Sequence, residues 1–150
     1  MQSYDISNKK EFMLKLLKSD LFDNFEVREV ILHTAFKMVL DGKRNKDYFN
    51  ISDETSYSLY LTWGEIRKYV YELIQGIKSP TYFKIVLATN DEKTSTLSPD
   101  ASAFYLNIIF KENLMICSTG TSYKTFMLDQ SADKLWESHI KDFLFHYHFI

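Results

Sequence analysis

The sequence predicts an α+β fold, an antiparallel sheet of about five to six strands with helices packed mainly on one face, in the order α-ββ-α-β-ββ-α. Three observations lead there. The block from Ala103 to Leu128 sets AFYLNIIF, LMICS and YKTFML one after another with only KEN and TGT between them, as a three-strand antiparallel meander does. The stretch ending at Leu40 alternates apolar and mostly polar residues with period two, while three other stretches repeat apolar residues at helical spacing. Units of strand, helix and parallel strand do not recur along the chain.

Asn8 is placed to cap a first helix, with Glu11 three residues on and Phe12, Met13, Leu16 and Leu17 forming its apolar stripe to an end near Ser19. From Phe25 to Leu40 the residues Val30, Leu32, Thr34, Phe36, Met38 and Leu40 mark a half-buried strand. Asp41-Gly42 then suits a type I′ turn, which needs positive φ angles, and predicts a hairpin returning along Lys43 to Asn50 as a charged edge strand. Residues 51–58, ISDETSYS, read as a loop. Thr62-Trp63-Gly64-Glu65 is a capping box, with Leu61 and Ile66 placed as a hydrophobic staple. Ile66, Val70, Leu73 and Ile74 give the second helix one stripe, and Gly76 followed by Pro80 ends it.

Tyr82 to Thr89 is β-branched and aromatic, hence a strand. NDEKTSTLSPDAS has no periodicity and reads as a mobile loop. In the meander, a three-residue loop Lys111-Glu112-Asn113 with Asn113 left-handed pairs Phe110 with Leu114. That register gathers Phe104, Leu106, Ile108, Phe110, Leu114 and Ile116 on one face. Leu135, Trp136, Ile140, Phe143, Leu144 and Tyr147 are the stripe of a last helix beginning after Ser131.

Composition narrows the function classes. A chain of 150 residues buries roughly 68–70% of its unfolded surface, enough for one core and one domain, 1–150. Its 12 Phe, 10 Tyr and 2 Trp supply that core without disulfides, and the single cysteine, Cys117, points to a reducing, cytoplasmic setting. No apolar run reaches the ~18 residues of a membrane span, and the N-terminus lacks the apolar stretch of a signal peptide. With 18 Lys+Arg against 20 Asp+Glu, no general attraction to nucleic acid is expected. The sequon Asn50-Ile51-Ser52 has meaning only in a secreted protein.

Each candidate site has a plainer structural reading beside it. His33, His139, His146 and His148 lack ligand spacing, so no metal site is expected and the last three read as helix-flank residues. Cys117 has no basic residue adjacent in sequence and reads as an inert packed thiol, although His33 could approach it from another strand. Ser118-Thr119-Gly120-Thr121-Ser122 is the densest hydroxyl cluster. As a turn with Gly120 at positive φ it would present N–H groups and the hydroxyls of Thr119, Thr121 and Ser122 to an anion beside Lys124, but the same residues suit any hairpin turn. Trp63 and Arg67, four apart, stack on an exposed helix face as a partner anchor, or else pack on the sheet edge. The sheet face opposite the core carries Tyr105, Asn107 and Ile109, joined by Tyr82, Lys84 and Tyr123. It reads first as solvated side chains, next as a protein contact, and least as a platform stacking single-stranded nucleic acid, which the net charge and the lack of an RNP-type motif disfavour.

The strings EFMLKLLKSDLFDNFEV, WGEIR, GIKSPTYFKIV and CSTGTSYKTFMLD resemble an uncharacterised bacterial family, a domain of unknown function, from Phe12 to Leu144. The family carries Asn-Gly in the meander hairpin, where this chain has Asn113-Leu114. The resemblance implies one compact domain and brings no activity, cofactor or catalytic residue with it. The expected function is therefore a small cytoplasmic, non-enzymatic interaction or ligand-binding domain using the aromatic and lysine sheet face, with a protein partner or self-association as a homodimer and no cofactor. The alternative is a small enzyme or a nucleotide- or phosphate-binding protein using the Ser118 to Ser122 turn, Lys124 and His33.

Overall fold

The computed structural model describes residues 1–49, 58–76 and 78–150. Its elements are β1 (Ser3–Asp5), α1 (Lys9–Lys18), β2 (Glu26–His33), β3 (Lys37–Asp41), α2 (Trp63–Ile74), β4 (Tyr82–Ala88), α3 (Asp91–Leu97), β5 (Ala101–Lys111), β6 (Leu114–Tyr123) and α4 (Ser131–His146). The strands form one six-stranded sheet in the order β1-β6-β5-β4-β2-β3, every neighbouring pair antiparallel. The α+β class and the main order of elements are as expected. Two elements were not: β1, three residues long, and α3.

One apolar face of the sheet, carrying Val30, Leu32, Phe83, Ile85, Leu87, Phe104, Leu106, Ile108, Met115 and Cys117, meets Phe12, Leu16 and Leu17 of α1, Ile66 and Val70 of α2, and Trp136, Ile140 and Leu144 of α4. Edge-to-face ring contacts knit this layer, with Phe12 centred 5.5 Å from Phe22 and 5.0 Å from Phe149. The Thr62–Glu65 capping box forms as expected: the Glu65 carboxylate accepts the Thr62 N–H at 2.8 Å. That carboxylate also receives both terminal nitrogens of the buried Arg44, at 2.8 and 3.0 Å.

Three expectations about turns need correction. The first hairpin reverses at Thr34–Phe36, where the Thr34 N–H donates to the Phe36 carbonyl, so Met38 and Leu40 lie on the returning strand β3. The period-two pattern ran through the turn because both strands bury the same face. Gly42 follows β3 and has no positive φ. A Cβ there would collide with the carbonyl of Val27, so close backbone approach explains the glycine. Lys43–Phe49 forms no strand, with only an isolated bridge from Lys43 to Tyr60. Residue 50, the loop at 51–57 and the rest of the sequon lie outside the described residues.

The second correction concerns β5 and β6. Glu112 and Asn113 both take left-handed φ, 53° and 63°, making a two-residue type I′ loop that pairs Lys111 with Leu114 and Phe110 with Met115. A one-residue register change exchanges the faces of β6. Met115 and Cys117 enter the core, while Leu114 is 61% exposed. The third correction removes the last meander strand. β6 runs unbroken to Tyr123, and residues 124–130 are irregular, with Phe126 and Leu128 89% and 88% exposed. β1 takes the place beside β6 that this strand was expected to fill.

NDEKTSTLSPDAS is not a loop throughout: residues 91–97 form α3. Asn90 caps it by accepting the Lys93 N–H at 2.8 Å. A hydroxyl relay then ties α3 to the sheet. The Phe104 N–H donates to Thr89 Oγ1, Thr89 and Thr94 hydroxyls lie 2.6 Å apart, and Thr94 Oγ1 donates to the Asn90 carbonyl. In α4, Trp136, Ile140 and Leu144 are buried as expected, whereas Leu135 faces outward.

Candidate functional site

The residues singled out from sequence do not converge. Trp63 is fully buried, its indole N–H donating to the Leu16 carbonyl at 2.7 Å, so it is a core residue joining α2 to α1 and not a surface anchor. Arg67 grips Asp23 with two bonds of 2.9 Å. Ser118 to Ser122 lies inside β6 and Gly120 has no positive φ, which overturns the anion-binding turn. Thr119 is buried, and its Oγ1 accepts the Gln2 N–H at 3.1 Å. Ser122 Oγ lies 2.9 Å from Ser102 Oγ. Thr121 faces the same side as Phe104, and the exposed Lys124 continues the pairing, its N–H donating to the Asp100 carbonyl.

Lys84, Tyr105 and Asn107 do share the sheet face away from the helices. The pairing registers lay Asp5, Ile116, Ile109, Lys84, Ile31 and Val39 in one row across all six strands. A neighbouring row runs Ser3, Ser118, Asn107, Val86, Glu29 and Asp41. Tyr105 is engaged within the chain: the Arg28 guanidinium lies 5.6 Å from its ring and 3.9 Å from that of Tyr60. Cys117 faces the core and His33 the opposite side, where it packs on Tyr82 at 4.8 Å, so they form no pair. Burial pushes the Cys117 thiol well above its ordinary pKa, away from reactivity. Among the described residues no three His, Cys, Asp or Glu side chains gather as a metal site would require.

A cleft missed in the sequence lies between α3 and α4. It measures about 570 Å³ and is bounded by Phe25, Trp136, Ile140 and Phe143 beneath and by Asn24, Asn90, Glu92, Lys93, Thr96 and His139 around it. The spacing 136, 139, 140, 143 puts four lining residues on one face of α4. Trp136 is held by its indole N–H, which donates to the Tyr105 carbonyl at 2.9 Å, and its ring lies tilted against Phe104 at 5.3 Å and stacks on His139 at 5.5 Å. Opposite, the Asn90 cap and the threonine relay fix α3 and therefore Glu92, Lys93 and Thr96.

Burial first, and the charge of Lys93 second, hold His139 below its ordinary pKa against the weaker pull of Asp142. At neutral pH its imidazole is therefore uncharged and offers one donor and one acceptor. A cleft of this size with an apolar floor and a few polar groups at its edge has the form of a small-molecule site. The sequence signals were present but divided. Trp136, Ile140 and Phe143 registered as core stripe, and Asn90 followed by Asp91 and Glu92 is a cap with an acidic first turn, masked by the weak helix formers Thr94, Ser95 and Thr96.

Among the described residues no helix is long and apolar enough to cross a membrane. No curated protein and no solved structure matches the chain. Residues 15–149 match the model of a family of unknown function, DUF5721, and the chain belongs to that family.

Proposed function

We propose that this chain is a small-molecule-binding domain whose ligand occupies the cleft between α3 and α4. The observation that carries the reading is the cleft itself: about 570 Å³, floored by aromatic rings and edged by Lys93 and His139. An aromatic carboxylate meets that chemistry, its ring on Phe25, Ile140 and Phe143 and its carboxylate between Lys93 and the His139 N–H. The reading is one of binding, with no reaction assigned. The lone buried Cys117 and the ordinary composition agree with a single cytoplasmic domain.

Thermal unfolding with benzoate and indole-3-acetate, compared with benzamide and indole, tests the proposal. A ligand at 100 times its Kd stabilises by about 2.7 kcal/mol. For a chain of this length that is a rise of roughly 5–11 °C. The acids should give the larger rise, and Lys93→Ala should remove the difference. No rise with any of the four, or an excess of the acids over the neutral compounds that is as large in Lys93→Ala and His139→Ala as in the wild type, defeats the reading.

The open sheet face supports a second role in protein contact, because Ile116, Ile109, Ile31 and Val39 lie in one row on the side away from the helices of the described residues. Binding of the dye 8-anilinonaphthalene-1-sulfonate to the native protein should fall in Ile109→Lys and persist in Lys93→Ala. Dye binding lost only in Lys93→Ala would assign it to the cleft.

A further inference from the structure

We propose that β3 pairs with β3 of a second copy of this chain, antiparallel about a two-fold axis at Val39, to form a homodimer. β3 is an edge strand: it is last in the sheet order, and its open side faces away from β2. Which of its backbone groups are open follows from the ladder. The Thr34 N–H donates to the Phe36 carbonyl and the Gly42 N–H to the Arg28 carbonyl, bracketing the register Leu32 to Met38 and Val30 to Leu40. Hydrogen-bonded pairs alternate in antiparallel sheets, so Met38 and Leu40 bond inward and Lys37, Val39 and Asp41 direct both N–H and C=O outward. Among the described residues no backbone group outside the sheet ladder bonds to those of Lys37, Val39 or Asp41.

The side chains select the occupant. Read against itself in reverse, Lys37-Met38-Val39-Leu40-Asp41 sets Lys37 opposite Asp41 of the second copy, Met38 opposite Leu40, and Val39 opposite Val39. Both charged pairs are complementary, and every outward N–H and C=O of the three alternate residues finds its counterpart. This is the self-complementarity that a two-fold interface requires. Lys37, Val39 and Asp41 are exposed, Val39 at 68%, while Met38 and Leu40 are half-buried against the core and would extend it across the junction. Asp41 Oδ1 accepts the Lys43 N–H, leaving Oδ2 for the incoming lysine. Charges on an edge strand usually repel further strands. Here they exclude most strands and admit a second copy of this one. The other edge, β1, has no such match, since its reverse sets Ser3 against Asp5.

A single strand pairing is a small interface, so association is reversible and concentration-dependent. Sedimentation velocity on the intact chain, from about 1 µM to about 1 mM, the range over which weak complexes assemble, should show a monomer passing to twice its mass. Val39→Pro removes an outward N–H that the parent sheet does not use, a position where edge strands accept proline. It should weaken the dimer at least tenfold with the far-ultraviolet spectrum preserved. Lys37→Glu and Asp41→Lys should each weaken it likewise, by facing like charges, and mixing the two should restore association, because each then meets its complement. A monomer at every concentration overturns the proposal. So does a dimer indifferent to Val39→Pro and to both charge variants, which would place the contact elsewhere. Lys93→Ala, which tests the cleft, should leave self-association unchanged, so the two proposals stand or fall separately.

Discussion

Replacing Trp63 by phenylalanine distinguishes a core residue from a surface anchor. A helix leaves its last four carbonyls without intrahelical partners, and in α1 these belong to Lys15, Leu16, Leu17 and Lys18. Ser19 Oγ donates to the first at 2.6 Å, and the Trp63 indole reaches from α2 to the second at 2.7 Å. The indole is thus a C-terminal cap supplied by another helix, inside the core. Phenylalanine keeps an aromatic ring but removes the donor, stranding a buried acceptor at about 1–3 kcal/mol. The smaller ring adds about 1 kcal/mol for the space it leaves. Together these destabilise by about 2–4 kcal/mol, and at about 2–4 °C per kcal/mol the melting temperature should fall by about 4–16 °C. Urea unfolding followed by far-ultraviolet circular dichroism measures the loss, with Trp136 as the remaining tryptophan for a fluorescence check. A loss below about 0.5 kcal/mol would refute the cap, since surface substitutions fall in that range.

Three further outcomes follow from single contacts. Gly42→Ala should destabilise by more than about 3 kcal/mol or prevent accumulation of folded protein, because its Cβ meets the immobile Val27 carbonyl; chemical denaturation decides it, and a near-neutral result would remove the close-approach explanation. Arg67→Met should cost about 1–2 kcal/mol through loss of its paired bonds to the half-buried Asp23, measured by the same unfolding, with ligand and dimer affinities unchanged. The hydrogen bond from Arg44, aided by those from Thr62, outweighs burial and holds Glu65 below its ordinary pKa. A depressed carboxyl contributes stability above its unfolded pKa and loses it as pH falls through the folded value. The stability advantage of the wild type over Glu65→Gln should therefore shrink as pH drops from about 6 to about 3. An advantage that stays constant over that span would mean the charge of Glu65 does not matter; because the carboxylate is partly exposed, the effect should be modest.

What the sequence disclosed depended on whether the signal was local. The Thr62 to Glu65 capping box needs four adjacent residues and was legible at once. The strand β4 was legible because β-branched and aromatic residues crowd a fully paired central position. The hairpin loops were not, since alternation alone cannot say where a strand reverses. Phe36 kept the period across a turn, and Asp41-Gly42 had stronger turn chemistry than the true reversal at Thr34–Phe36. In β6, gathering the greatest number of apolar residues on one face favoured Leu114 and Ile116. The two left-handed residues Glu112 and Asn113 instead put Cys117 inside, a small apolar side chain that the pattern had not needed.

The cleft was hidden for a different physical reason. Its two walls lie some forty residues apart in the chain, and each wall by itself does ordinary structural work: Asn90 caps a helix, and Trp136 bonds the Tyr105 carbonyl. A pocket is the volume those elements leave unfilled, and no residue type marks an absence of packing. The edge of β3 is the converse case. Its Lys-Met-Val-Leu-Asp was already in view as five ordinary residues, but their charges acquire meaning only once the ladder shows that Lys37, Val39 and Asp41 turn their backbone groups outward. Had the reversal been at Asp41-Gly42, the same residues would sit inside a paired strand and no second copy would be needed to satisfy them. The position of one turn therefore decides whether this segment is interior sheet or an open, self-complementary edge, and the Lys37→Glu and Asp41→Lys mixing experiment tests both statements together.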